Sequence, residues 1–164
     1  INPYGQTKLE DEFLAEKYRE EGVSIIGLRY FNIFGKGQTG SYAGVITQFM
    51  NKVFEKKELQ INGDGEQVRD FIHVSDIAQA NLSAMESKTE FGFFNIGTGE
   101  MTSIKSLAGT MIKLSNEKLG LKFNSSLKGD VKLSLADIIK TEKELDWKYR
   151  IGLKEGLKQL FQEW

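Results

Sequence analysis

Apolar residues recur along this chain in two rhythms. Over residues 6–21 they fall at Leu9, Phe13 and Leu14, the spacing of one helix face, and Gly22 stands where such a helix would stop. Over residues 23–34 the run VSIIGLRYFNIF is nearly continuous, the pattern of a strand buried on both faces of a parallel sheet. After the loop GKGQTGSYAG, the residues Val45, Ile46, Phe49, Met50, Val53 and Phe54 make one helix face. Residues 59–61 read as a short strand, NGDG as a turn and residues 70–74 as extended chain. Asp76 is the expected N-cap of the next helix, with Gln79 completing a capping box. Phe91–Ile96 reads as another strand, ending in the turn Gly97-Thr98-Gly99. Ser103 opens a helix with Ile104, Leu107, Ala108 and Met111 inside; residues 121–123 form a short strand and residues 137–145 a helix. Leu153, Leu157, Leu160, Phe161 and Trp164 mark the last helix. Strands alternating with helices, with no internal repeat or linker, predict an α/β fold.

Composition narrows the chemistry. The 164 residues carry 22 basic and 23 acidic side chains, a net charge of -1, which argues against a nucleic-acid partner. The absence of Cys excludes disulfides and thiolate chemistry, and a single His leaves no donor set for zinc, so no metal is expected. No apolar run reaches the ~18 residues of a membrane span, and no secretory signal is present; the expectation is a cytoplasmic protein with no membrane partner. The chain begins at Ile1 rather than Met, which reads as a trimmed product. With 17 Gly and one Pro, the turns fall to Gly, Asn and Asp. Arg occurs only at Arg19, Arg29, Arg69 and Arg150, so an Arg inside an apolar stretch stands out as a bidentate anion ligand.

Four strings carry candidate chemistry. Tyr4 and Lys8 are four residues apart, one above the other on a helix face. A phenol is a poor base at neutral pH, and a neighbouring cation favours its anion, which is the arrangement a general base needs. Gly35, Gly37 and Gly40 match the G-x-G-x-x-G of a dinucleotide loop, with Glu55 in the place of its acid. The context disagrees: Ser41 to Gly44 delay the helix, the next strand is short and Glu55 falls within a helix, so this reads as a plain strand-to-helix loop. Arg69, at the head of the extended stretch RDFIHVSD, is suited to clamping a diphosphate, the alternative being a structural pair with Asp70. His73 reads as a satisfied hydrogen bonder at a strand–helix corner. Residues 63–66 (GDGE) lack the alternating acids and the closing Glu of a calcium loop.

Taken in order, NPYGQTK, LRYFNIFG, INGDGEQVRDFIHVSD, FNIGTG and KGDVKLSLADI with ELDWK and GLKEGL resemble the extended short-chain dehydrogenase/reductase family, NAD-dependent epimerases and dehydratases. The nearest likeness is to nucleotide-sugar epimerases of the UDP-galactose (UDP-glucose) 4-epimerase type, and it runs over essentially the whole chain. The resemblance implies the C-terminal part of a Rossmann-type fold: the last parallel strands plus a small substrate-binding α/β domain. Residues 1–40 would end the NAD-binding domain, and 41–164 would be mainly the nucleotide-sugar domain, with 69–97 returning to the Rossmann part. It implies NAD as cofactor, with Tyr4 as the base and Lys8 on the nicotinamide ribose beside it. Tyr30 would lie along the nicotinamide. Asn32 and Arg69 would hold the substrate diphosphate, the edge carrying Gln60 and Asn62 would meet the base, and Asp130 would meet the nucleotide ribose or a nearby loop. His73 and Asp76 stay structural.

The chain also departs from that family. Leu127 stands where an Arg is common, and Lys36, Lys128 and Tyr149 stand where Pro is frequent. The family's Gly-rich NAD loop and the Ser or Thr that completes its catalytic set lie upstream of the Tyr. These 164 residues alone are therefore expected to bind NAD poorly and to lack turnover. A nucleotide-sugar 4,6-dehydratase or decarboxylase, or a non-catalytic sugar-nucleotide-binding module, remain alternatives. The resemblance further implies association, as a homodimer through the Tyr4 helix or with a complementary N-terminal half.

Overall fold

The computed structural model describes residues 3–38 and 43–164. Helix α1 (Pro3–Glu20) begins on a proline, tolerated in a first turn because its missing N–H has no intrahelical partner there. It ends at Gly22, whose φ of 86° lets Gly22 N–H reach the Arg19 carbonyl (2.9 Å) and Val23 N–H the Tyr18 carbonyl (3.1 Å). This is the predicted glycine stop in its double-bonded form.

The apolar run that follows is two strands, β1 (Ile25–Tyr30) and β2 (Asn32–Phe34), and they choose different partners. Strand β6 (Phe91–Ile96) lies parallel to β1, whereas β5 (Phe71–His73) lies parallel to β2. The change falls at one step: Phe31 N–H bonds the Ile96 carbonyl and Asn32 N–H the Asp70 carbonyl, both at 3.0 Å. The prediction of burial on both faces does not hold for β1, none of whose residues is fully buried. Among the described residues it pairs with β6 alone; Ile26 and Leu28 are partly buried against the core beneath α3, and α1 on the other side contains no buried residue.

Beyond the fork come α2 (Val45–Phe54), β3 (Leu59–Asn62), the two-residue β4 (Val68–Arg69), then β5 and α3 (Val74–Glu86). After β6 follow β7 (Thr102–Ser103), α4 (Ile104–Ser115), β8 (Leu121–Asn124), β9 (Leu133–Ser134), α5 (Ile139–Leu145) and α6 (Leu153–Glu163). Strand β3 pairs parallel to β8, and β4 is flanked by antiparallel β7 and parallel β9.

Two hydrophobic cores result. One joins α2, α4 and α6 with Leu59 and Ile61 of β3 and with Phe34 and Phe71. The other joins Ile72, Phe94 and Ile96 with Ile77, Ala80 and Ala84 of α3 and with Leu145 and Trp147. Strand alternation sends Phe71 into the first core and its neighbour Ile72 into the second, so β5 is a wall common to both.

Helix caps follow the sequence in one place and depart in another. Ser103 caps α4 as expected, its hydroxyl accepting from Ser106 N–H at 3.1 Å. Helix α3 is capped by His73, whose Nδ1 accepts from Ser75 N–H, and not by Asp76. Asp76 is buried in the first turn, where its carboxylate accepts the Arg150 and Ile151 N–H groups at 2.9 and 3.0 Å. Two donors brought from far along the chain thus replace the local capping box.

Candidate substrate and cofactor site

The fork falls at the carboxyl ends of the parallel strands β1 and β6, the end at which ligands of open α/β sheets bind, and at the start of β2 and β5. Asn32 stands at the fork. Its backbone N–H and its side-chain Nδ2 both donate to the Asp70 carbonyl, at 3.0 and 2.9 Å. A cavity of about 140 Å³ beside it is lined by Asn32, Gln38, Phe71 and the first residues of α2, Gly44, Val45 and Ile46. Gly44 is the N-cap of α2 and offers no side chain to the first N–H groups. A helix N-terminus that receives no side-chain cap from its N-cap residue carries partial positive charge toward its surroundings. The sequence reading named Asn32 but missed the α2 terminus; a Gly, rather than Ser, Thr, Asn or Asp, just ahead of the apolar helix face was the available signal.

Arg69 lies on β4 with a guanidinium mostly withdrawn from solvent. Its Nη1 donates to the Val68 and Val131 carbonyls (2.8 and 2.5 Å), and its Nη2 to Asp130 Oδ1 at 2.5 Å. The Arg69–Asp70 pair considered as an alternative does not form. Asp70 turns the other way, into the protein, as successive residues of extended chain do. Gln67 extends the Arg69 cluster: its Nε2 donates to the Asn62 carbonyl (2.8 Å) and lies 3.4 Å from Asp130 Oδ2. On β3, Leu59 and Ile61 enter the core, leaving Gln60 exposed and Asn62 half-buried on the outer side, where Asn124 Nδ2 lies 3.5 Å from Asn62 Oδ1. Asn62, Gln67, Arg69 and Asp130 therefore form one hydrogen-bonded chain, of which Gln67 was not anticipated.

Tyr4 and Lys8 share a face of α1, with Lys8 Nζ 6.0 Å from the Tyr4 ring centre. Tyr4 is 71% exposed. Lys8 Nζ also donates to Asp11 Oδ2 at 2.6 Å, and that hydrogen bond and charge raise the lysine pKa above its ordinary value. Tyr30 is placed apart from this pair: its hydroxyl donates to Asn81 Oδ1 of α3 at 2.9 Å. Its neighbour Arg29 points to the opposite face, where Nε and Nη2 grip the two carboxylate oxygens of Glu12 on α1, each at 2.6 Å.

Residues 35–38 form a loop, as expected of the glycine string, while Gly40 lies outside the described residues. Among the described residues no cluster of His, Cys, Asp or Glu could hold a metal, and no helix is long and apolar enough to cross a membrane.

Parallel strands joined through helices, forking at a polar crevice, define a Rossmann-type α/β protein of the extended short-chain dehydrogenase/reductase kind. A profile of the NAD dependent epimerase/dehydratase family matches residues 1–97, and the chain belongs to that family. The UDP-glucuronate 4-epimerase of Thermodesulfobacterium geofontis is 32% identical over 97% of this chain and 49% of its own length. The crystal structure of UDP-glucose 4-epimerase from Thermotoga maritima, solved with UDP-glucose, superposes with a TM-score of 0.94 at 36% identity, covering 99% of this chain and 54% of that one. UDP-glucuronic acid 4-epimerase from Bacillus cereus, solved with UDP-glucuronic acid and NAD, gives 0.90 at 32% identity over 99% and 52% of the two chains. The chain spans about half the length of the curated relatives it matches.

Proposed function

We propose that these residues serve an NAD-dependent nucleotide-sugar epimerase acting on a UDP-sugar, with the fork as the diphosphate site. The observation that carries this reading is Asn32 beside the N-terminus of α2, held by the carbonyl of Asp70, the residue next to Arg69, in a chain whose relatives include UDP-sugar 4-epimerases. The second Nδ2 proton of Asn32, a helix terminus and a guanidinium suit a dianionic diphosphate and have no comparable use for a neutral ligand. Gln60 and Asn62 would face the base, and Asp130, already fixed by Arg69 and Gln67, the nucleotide ribose.

The Tyr4 hydroxyl and the Lys8 ammonium fit the nicotinamide-ribose end of NAD, since both are exposed and Lys8 retains donors beyond the one given to Asp11. An exposed ion pair of that kind is easily exchanged for ribose hydroxyls. No glycine-rich phosphate cradle accompanies them among the described residues. NAD, when bound, would supply a reversible hydride acceptor for the sugar carbon. Tyr4 accepts the proton of the sugar hydroxyl as the carbon is oxidised and returns it when the carbon is reduced. Lys8 steadies the phenolate form, and the diphosphate contacts hold the nucleotide while the keto-sugar turns its other face. Tyr30 is held by Asn81 on the α3 side of β1, so a part for it along the nicotinamide would fall to its backbone at the strand end rather than to its hydroxyl. Residues 1–40 and 69–97 would serve mainly the cofactor side and the remainder mainly the substrate side, with Phe34 and Phe71 joining the α2–α4–α6 core and Leu145 and Trp147 the other.

The test is mass-spectrometric and chromatographic identification of the product from UDP-glucose, UDP-galactose and UDP-glucuronate with the complete gene product. Interconversion of 4-epimers, abolished in Tyr4→Phe, is the expected result. A 4,6-dehydrated product would move the chain to the dehydratases, and UDP-sugar binding without any turnover would make it a binding module.

A further inference from the structure

Among the described residues Asp70 is the one carboxylate at 0% exposure, and its carboxylate accepts from uncharged donors. Oδ1 accepts from Thr98 N–H (2.8 Å) and the Thr98 hydroxyl (2.7 Å); Oδ2 accepts from Gly99 N–H (2.9 Å) and Ala136 N–H (3.2 Å). Its backbone carbonyl takes both donors of Asn32. One residue therefore joins three remote segments, and space is cleared for it: a Cβ on Gly97 would lie 2.7 Å from Asp70 Oδ2. Burying a carboxylate is costly unless every acceptor site is used, and a well-packed apolar side chain stabilises a fold as well or better. What the carboxylate supplies that an apolar group lacks is direction.

Two of the directions it fixes lead to the diphosphate groups. Asn32 hangs on its carbonyl. Ala136, bonded to Oδ2, follows β9, which pairs with β4 in register Arg69–Ser134 and brings Asp130 and the Val131 carbonyl to the Arg69 guanidinium. We propose that Asp70 is a positioning residue for the diphosphate clamp, setting Asn32 and Arg69 relative to each other from inside the fold. This rests on the diphosphate reading above and extends it to a residue that touches no substrate.

The experiment is a double-mutant cycle on UDP affinity, measured by calorimetry on the complete gene product. Asp70→Asn keeps the shape but turns one acceptor into an NH2 group facing N–H donors, and is expected to weaken UDP about tenfold. In an Arg69→Leu background the same substitution is expected to cost less than about twofold, because the clamp it aligns is already gone. A purely structural role would cost the same factor in both backgrounds, and that result overturns the proposal. Thr98→Val removes one of the four donors while leaving the Thr98 N–H bond; the same cycle is expected to show a loss of about two- to threefold that vanishes with Arg69→Leu. It decides the matter if Asp70→Asn does not fold. Should Arg69→Leu alone leave UDP affinity unchanged, the diphosphate reading itself fails and takes this proposal with it.

Discussion

Helix α1 and the corner around Asp70 are built in opposite ways. The helix carries Tyr4 and Lys8 on an open face, buries none of its residues and exposes Phe13 at 65% and Leu14 at 52%. The corner hides a carboxylate completely and spends each of its acceptor positions on a named donor. The proposed catalytic pair thus sits on a surface that gains its environment from whatever docks there. The proposed substrate clamp is finished by the chain itself. Preorganisation is worth most where a charged ligand must be gripped without rearrangement, and the corner has it already.

Substitutions can break that contrast. The largest stability effect is expected at Gly97, where an added Cβ would meet Ala136 Cβ at 2.6 Å and Asp70 Oδ2 at 2.7 Å. Gly97→Ala should cost about 1–3 kcal/mol in a urea or thermal melt; an unchanged melt would mean the corner is slack. Arg69→Leu comes next. It removes a charge-assisted contact to the diphosphate and leaves Asp130 without its cation. A loss of UDP affinity of about 10–100-fold is expected by calorimetry.

A smaller effect is a pH dependence at His73. Burial holds its imidazole below the ordinary 6.5, with the Asp76 and Glu163 charges opposing. The native state therefore binds its proton later than the unfolded chain as pH falls. The His73 contribution should be intact above pH 6.5, decline as the pH drops below it, and level off beneath the lowered native value. Protonation also replaces the Nδ1 acceptor that caps Ser75 N–H. Equilibrium unfolding of the wild type and His73→Gln across this window should show a steeper slope in the wild type, the difference being the His73 contribution. The smallest effect is expected on α1. Phe13→Ser should shift the monomer's stability by no more than about 0.5 kcal/mol, and a larger loss in sedimentation-checked monomer would show that the helix is packed after all.

The periodic elements were legible because their signals are local. The glycine stop at Gly22, the apolar face of α2 and the Ser103 cap are each written within a few residues. Strands β4, β7 and β9 were not, since two residues have no period to read. Asp76 and Gln79 spell a capping box, but donors from Arg150 and Ile151 claim the carboxylate. Asp70 was passed over as the neighbour of an arginine, and its donors at Thr98, Gly99 and Ala136 lie 28 to 66 residues away. The candidate site divides the same way. Tyr4, Lys8, Asn32 and Arg69 stand in recognisable strings, whereas Gln67, Asn81 and the α2 terminus acquire meaning only from what folding brings beside them.

Strand β5 has a consequence for how the molecule comes apart. With Phe71 facing one core and Ile72 the other, neither can loosen without disturbing the three-residue strand between them. The two cores are thus expected to melt as a single cooperative unit, with the β5 amides among the last to exchange their hydrogens for deuterium and those of α1 among the first.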